Sequence, residues 1–407
     1  MKNAMLLFAL YIIAVGKLAF SLTSDNYIPS PPLRLNNVRD STITNLAITN
    51  PKGHCIQLSN CKNIKIVNCK LGPAKGNGVD IYSCQNITVE SNWMEEIQSG
   101  VYALDSQGII VEYNQVKNVQ GPFPRGQMAQ FDKVNGGGSR INFNRCENIL
   151  GESYPEDAVN IYKSNGTESD PIQVIGNWIR GGGPSESGGG IMTGDGGGSY
   201  ILVEDNILVN PGQYGLAIAS GTHIMILNNL VYGKRLPFAN VGLYVWNQYD
   251  SECADNIVEG NIINYINKNG MKNPCWNAEN CPNTVFNNQC GAAIDSTILP
   301  EQILTAVRKS LPHPASHFSL HQNYPNPFNP ATSIRFELAE DAVVNLSIYN
   351  SSGQKVYSLL DDRCGAGTHV IEWTGMDQDG RPVSSGVYFC RMNTKEFSQT
   401  RKMILMQ

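Results

Sequence analysis

An aliphatic-x-aliphatic-x-x-Asn unit recurs through most of this chain. Ile87-Thr88-Val89 leads to Asn92, Ile109-Ile110-Val111 to Asn114, and Ile172-Gln173-Val174 to Asn177. Ile201-Leu202-Val203 leads to Asn206, Ile224-Met225-Ile226 to Asn229, and Val258 precedes Asn261 in the same way. Cys69 (after Ile64 and Ile66) and Cys146 (after Ile141 and Phe143) fill the Asn slot in two further copies. The slots at 69, 92, 114, 146, 177, 206, 229 and 261 are separated by 23, 22, 32, 31, 29, 23 and 32 residues. A base period of about 22–23 residues, lengthened by insertions, belongs to a chain that coils and stacks on itself. Each copy buries its apolar face only against its neighbours.

The apolar spacing within a copy is two, so the segments are strands. Gly, Asn, Ser and Asp separate them, which marks turns. A second strand follows each Asn unit: Gly78-Val79-Asp80-Ile81, Gly100-Val101-Tyr102-Ala103, Ala158-Val159-Asn160-Ile161, Gly215-Leu216-Ala217-Ile218 and Gly242-Leu243-Tyr244-Val245. Two or three short strands per copy, with no helix between them, build an all-β parallel coil whose strands stack about 4.8 Å apart. Equivalent positions then form ladders, and stacked Asn side chains satisfy turn backbone left unpaired. From about Leu33 to Asn288 the chain resembles the right-handed parallel β-helix, or pectin-lyase-like, family.

Met1-Lys2-Asn3, the apolar run Ala4–Val15 and the small residues of Ala19-Phe20-Ser21 read as a signal peptide over residues 1–21. No later segment is long and apolar enough to span a bilayer as a helix. A net charge of −5 leaves no basic footprint for nucleic acid. The expectation is an exported monomer. Its eleven cysteines leave at least one thiol unpaired. Cys61 and Cys84 share a register one coil apart and read as buried thiols. Cys253, Cys275, Cys281 and Cys290 cluster after the last clear coil, where at least one disulfide is expected to close the stack.

Composition changes near Ile298. The expected organisation is a β-helix with its caps over 22–297, a linker over 298–317 with a short helix across Ile298–Leu311, and a β-sandwich over 318–407. In the last segment Ile334/Phe336/Leu338, Val344/Leu346/Ile348, Ile371/Trp373 and Val387/Phe389 give strand signals. Turns fall at Ser352-Gly353, Asp379-Gly380 and Ser385-Gly386. Asp377-Gln378-Asp379-Gly380 reads as a hairpin turn rather than a calcium loop. The run Gln322-Asn323-Tyr324-Pro325-Asn326-Pro327-Phe328-Asn329-Pro330, with Ser385-Gly386-Val387-Tyr388-Phe389 and Arg401-Lys402-Met403, resembles the type A C-terminal sorting domain of type IX secretion. Cys390 departs from it, standing where that family usually has an aromatic residue. The resemblance implies a partner in the type IX machinery and export to the surface of a Gram-negative, Bacteroidetes-like bacterium.

With Val79 and Ile81 inward, one outward column reads Asp80, Tyr102, Gln130, Asn160, Met192, Ala217 and Tyr244. The next reads Tyr82, Leu104, Asp132, Tyr162, Gly194, Ala219 and Trp246, and a third Ser83, Asp105, Lys133, Lys163, Asp195, Ser220 and Asn247. The insertions at Gly121–Arg125, Gly151–Asp157 and Gly181–Gly189 precede the middle coils and would wall a groove there. Aromatic, amide and carboxylate groups along a groove suit an extended polysaccharide. Asp132, Gln130, Asn160, Tyr102, Asp195, Tyr244 and Trp246 are the candidate substrate-binding residues. β-Elimination from a uronic acid needs a base and a cation against the carboxylate. Lys163, Lys133 and Tyr162 are the candidate catalytic residues, and Glu156 with Asp157 is a candidate calcium site.

Glu156 to Ser164 resembles the Glu-x-Glu-then-Lys-Ser strand of β-helix alginate and chondroitin lyases. Glu156 and Lys163 keep that spacing, Ala158 replaces the second carboxylate, and Met192-Thr193-Gly194-Asp195 stands where that family has an Arg. The resemblance implies a polysaccharide lyase on an acidic glycan. A non-catalytic glycan-binding or adhesive surface protein is the other reading.

Overall fold

The computed structural model describes residues 27–304 and, apart from short gaps at 321–322, 324–325, 327, 339, 366 and 396, residues 318–406. The signal-peptide reading and residues 305–317 fall outside these. The two parts are separate compact units.

The first unit is an all-parallel β-helix. Each turn contributes up to three strands, as in Val79–Tyr82, Gln85–Glu90 and Trp93–Glu95, and each strand pairs with its equivalents one turn before and after. Val101 lies beside Val79 and Ala129, and Ile109 beside Ile87. The three sheets run along the coil as three sides of a prism. Alternation drives this. Val79, Ile81, Val101, Ala103, Phe131, Val159 and Ile161 point inward and are fully buried, while Asp80 and Tyr82 between and beside them face out. Each buried aliphatic side chain contributes about 1.5–3 kcal/mol.

Between the second and third sheets runs a ladder of buried Asn side chains. Asn92 Nδ2 donates to Asn114 Oδ1, Asn114 to Asn144, Asn144 to Asn177, Asn177 to Asn206, Asn206 to Asn229 and Asn229 to Asn261, at 2.8–3.0 Å. Each Oδ1 also accepts the backbone N–H of the previous rung. Cys69 ends the ladder as expected, its N–H donating to Asn92 Oδ1 at 2.9 Å. Cys146 does not belong to it. Asn144 fills that rung, and Cys146 pairs in register with Val116 and Ile179 inside the third sheet. Ser139 holds the first aliphatic position of this copy, its Oγ accepting from Ile109 N at 3.1 Å, so Ile141 is the second and the slot falls three residues on, at Asn144.

At the far end Cys253–Cys281 and Cys275–Cys290 form two disulfides. The helix expected from Ile298 is not there among the described residues. A single 3-10 turn covers Ser296–Ile298, and 299–304 is irregular, with bends at Leu299 and Glu301. Leu299, Ile303 and Leu304 bury against Val209 with Trp93, Trp178 and Tyr232 packed around them. Arg180 Nη2 holds the strap by donating to the carbonyls of Leu299 (3.1 Å) and Pro300 (2.6 Å).

The second unit has two antiparallel sheets, one of them containing Thr332–Leu338 paired with Gly367–Trp373. The other orders Lys355–Cys364, Ala342–Asn350, Gly386–Asn393 and Ser398–Leu405. Ile334, Phe336, Val344, Leu346, Ile348 and Trp373 form its core as the alternation predicts. The phase of Gly386–Asn393 is the reverse of that expected: Tyr388, Cys390 and Met392 are buried, while Val387 is 38% exposed. Asp377 Oδ1 accepts from the backbone N–H of Asp379 and Arg381, which closes a hairpin turn.

Candidate functional site

The outer side of the first sheet carries the columns read from the sequence. Asp80, Tyr102, Gln130, Asn160, Met192, Ala217 and Tyr244 are successive register partners, and Trp276 continues the file. Much of this column is covered. Tyr102, Gln130, Asn160, Ala217 and Tyr244 are all buried, and Tyr214, Val241 and Met192 pack with Ala217 and Tyr244 into a second, outer apolar cluster. Their polar atoms meet protein partners: Gln130 Nε2 donates to Asn160 Oδ1 (3.5 Å), and Tyr244 Oη accepts from Gln248 Nε2 (3.0 Å). These residues shape the floor from beneath.

The open surface is the neighbouring column. Tyr82, Leu104, Asp132 and Tyr162 stack in register, but Gly194 does not follow. Asn160 pairs with Met192, whereas Tyr162 pairs with Asp195, so one extra residue bulges in the later strand. Gly194 sits there at φ +63°, and a Cβ on it would lie 1.8 Å from the Ser220 carbonyl oxygen. Only glycine fits. The bulge moves Asp195 out of the third column and onto Tyr162. Gly196, also at positive φ, leaves space that the Lys163 stem fills.

Two loops frame this column. Arg125, from the first insertion, lies over the Tyr102 ring with its Cζ 3.8 Å from the centroid, and Nη1 donates to Gln130 Oε1 at 3.4 Å. Tyr102 in turn donates to Asp132 Oδ2 at 2.7 Å, while Asp132 Oδ1 is buried without a hydrogen-bond partner. From the loop after Trp246, Tyr249 donates to Asp195 Oδ1 (2.5 Å), and Asn160 Nδ2 donates to Asp195 Oδ2 (2.9 Å). Burial and the adjacent carboxylates push the Tyr102 and Tyr249 phenols well above their ordinary range, so both stay protonated donors. Beyond Asp195 the half-exposed indoles of Trp246 and Trp276 meet at 5.6 Å. The insertions stack as the coils do: Glu156 N donates to Gly126 O, and Gln213 N to Gly188 O. Phe123 and Tyr154 stand exposed on this wall.

The remaining candidates separate. Lys133 and Lys163 occupy the corner between the first and second sheets, at φ 53° and 46°. Lys163 Nζ lies 5.1 Å from the Tyr162 ring centroid, at the edge of the groove. Glu156 and Asp157 do not share a ligand space. Ser185 and Ser187 hydroxyls donate to Glu156, while Tyr214 Oη, Asn160 Nδ2 and Gly189 N donate to Asp157. Carboxylates enclosed by donors do not offer the oxygen cage calcium requires, and no group of three or more His, Cys, Asp or Glu side chains able to hold a metal occurs among the described residues. Burial raises the Asp157 carboxyl to about 7 despite its three donors.

Arg125, Tyr214, Gln248, Tyr249 and Trp276 were not anticipated. All but Trp276 lie outside the repeat alignment used to read the columns, and Trp276 follows an insertion that hides its coil.

Residues 31–231 match the family model for a right handed beta helix region, and residues 325–396 that for the FlgD Ig-like domain. The coil is a right-handed parallel β-helix. Among solved structures, this β-helix chain is similar to a mutant tailspike protein of E. coli bacteriophage HK620 in complex with a pentasaccharide (10% identity, 90% of this chain and 82% of that one, TM-score 0.34). Similarity also extends to two Porphyromonas gingivalis proteins. One is dimeric latent PorU (23% identity, 21% of this chain and 9% of that one, TM-score 0.18). The other is PorZ, a surface component of the type-IX secretion system (21% identity, 23% and 12%, TM-score 0.17). The matches to PorU and PorZ thus span about a tenth of those chains' lengths. At these identities and TM-scores no function transfers. No curated protein matches the chain.

Proposed function

We propose that this protein is exported to the cell surface and holds an extended polysaccharide along the groove formed by Asp132, Tyr162, Asp195, Trp246 and Trp276. The observation that carries this reading is the outward face of the first sheet: Asp132, Tyr162 and Asp195 stack from successive turns about 4.8 Å apart, Trp246 and Trp276 follow beyond the intervening turn of Ala217, and Arg125 and Tyr249 pack against the row. Indole faces pack on the apolar faces of sugar rings, and carboxylates and phenols bond hydroxyls. The buried column beneath fixes the orientation of these groups. Export rests on the apolar N-terminal run and on the tail motifs that resemble type IX sorting signals.

A second reading, β-elimination from a uronate-containing chain, is favoured by Lys163 beside Tyr162 with the Arg125 guanidinium on the same face. Lys163 would remove the proton next to the uronate carboxylate. The Arg125 cation would stabilise the negative charge that develops there, and Tyr162 would return a proton to the leaving oxygen. No metal enters these steps.

One experiment separates the two. Purified protein is incubated with alginate, polygalacturonate, glycosaminoglycans and neutral glucans, followed by ultraviolet absorbance of unsaturated uronate and by affinity electrophoresis. Retardation without new absorbance supports holding alone. New absorbance that disappears in Lys163→Ala, with circular dichroism unchanged, supports elimination. Neither retardation nor absorbance with any of these glycans contradicts the proposal.

A further inference from the structure

Away from the groove, at the corner between the first and second sheets, lies an open depression whose lining includes Arg39, Lys62, Gln85, Asp105, Gln107 and Lys133. Arg39 pairs in register with Lys62, Lys62 with Gln85, and Gln85 with Gln107. Two cationic side chains therefore project from adjacent strands about 4.8 Å apart, on one side of the depression. Lys133 lines it too, and Asp105 is the one carboxylate there.

Elsewhere on this coil, cations in comparable positions are neutralised from the neighbouring turn. Lys65 reaches Glu90 (3.0 Å), Lys117 reaches Glu95 (3.1 Å) and Arg140 reaches Glu112 (2.7 Å). Among the described residues Arg39, Lys62 and Lys133 have no carboxylate within 4.0 Å. Like charges in directly opposed positions on adjacent strands repel. Here the repulsion is left in place beside the amide groups of Gln85 and Gln107. An anion seated between Arg39 and Lys62 relieves it.

We infer that this corner is a second glycan-binding site, one that takes the sulfate or carboxylate groups of an acidic polysaccharide. Arg39 and Lys62 stand one coil rise apart and Lys133 lies several turns farther along the same depression, a spread that fits charges carried along a polymer better than a single ion. Exposed cations leave such binding sensitive to salt. The site stands independently of the aromatic groove: it involves different residues and a different attraction.

Binding to heparin, polygalacturonate and dextran is measured by affinity electrophoresis or calorimetry as salt is raised. Heparin and polygalacturonate are expected to bind at low ionic strength and to release as salt rises, while dextran stays unaffected by changes at this corner. The double change Arg39→Glu and Lys62→Glu should weaken heparin binding by about tenfold or more. The milder Arg39→Gln, Lys62→Gln pair should give a smaller loss with an unaltered thermal melt. Trp246→Ala with Trp276→Ala should leave heparin binding at this corner intact, which distinguishes failure here from failure of the groove. Undiminished heparin affinity in the Glu variant, or no binding of either polyanion by the wild type, would overturn the assignment. So would displacement of heparin by inorganic sulfate at far lower ionic strength than by chloride, which would indicate a single-ion site.

Discussion

Replacing Asn177 by Ala tests how the coils are held in register. Asn177 is fully buried. Its Oδ1 accepts from the backbone N and from Nδ2 of Asn144, both at 3.0 Å, and its Nδ2 donates to Ile141 O (2.8 Å), Ile175 O (3.3 Å) and Asn206 Oδ1 (2.9 Å). Alanine removes all five contacts. Some partners keep another: Asn206 Oδ1 still accepts the backbone N of residue 177, and Asn144 Nδ2 still reaches Val111 O. The Asn144 N–H is left buried without its acceptor. One stranded N–H costs about 1–3 kcal/mol, and the other four lost bonds, with a net worth of about 1 kcal/mol each, bring the total to roughly 5–7 kcal/mol. Asn63→Ala is the control. Asn63 sits in an exposed ladder, donating to Asp40 and accepting from Asn86, where water replaces both bonds, so the loss should stay at about 1–2 kcal/mol, most of it the strain of Ala at φ 55°. The assay is urea unfolding followed by circular dichroism, paired with hydrogen exchange at the Asn144 amide. Exchange reports the local loss even if the stack does not unfold in one step. Equal denaturation midpoints for the two variants, with unchanged protection at Asn144, would refute the reasoning.

Asp157 gives a pH signature. Its folded carboxyl titrates near 7 against an ordinary 3.8, so between those values the folded state holds a proton the unfolded chain has released. Its contribution is therefore fully present at low pH, is lost as pH rises from about 4 through 7, and is constant above; Asp157→Asn should flatten that fall in unfolding free energy measured against pH. Opening Cys275–Cys290 by a double Ala change frees a loop of 15 residues and should destabilise the last turn by about 3 kcal/mol, read as lost exchange protection there with the first coils unaffected. Gly194→Ala should disrupt the bulge, because its Cβ meets the Ser220 carbonyl; Tyr249 fluorescence and glycan retardation should both change, while the Asn-ladder amides stay protected.

How far the sequence could be read depended on what enforces each position. Alternation and the coil period fixed the first outward column from Asp80 to Tyr244 without error, because a one-residue slip would turn Val79 and Ile81 out into water. Where a copy departs from the pattern that constraint lapses. Cys146 passed for the Asn144 rung because Ser139 replaces the first aliphatic residue of that copy, and Gly194 passed for Asp195 because a bulge adds a residue that alternation alone does not reveal. Burial of Tyr102, Asn160 and Tyr244 was hidden for a related reason. Strand phase says which side of a sheet a residue faces, not whether a loop later covers it. Arg125 and Tyr249, which complete the candidate site, come from those loops and obey no repeat. In the C-terminal unit the misread phase at Tyr388 arose because Val387, Phe389 and Tyr388 are all apolar enough to be buried.

The central claim is that the open file on the first sheet binds a glycan. Its direct test is calorimetric titration of the wild type and of the Trp246→Ala, Trp276→Ala double variant with the glycan that retards the protein best in neutral salt. Tyr200→Ala, which removes a ring stacked on His223 at 4.8 Å away from that file, is the control. Loss of about tenfold or more in affinity for the double variant alone is the result the account predicts. Equal affinity in all three proteins would contradict it.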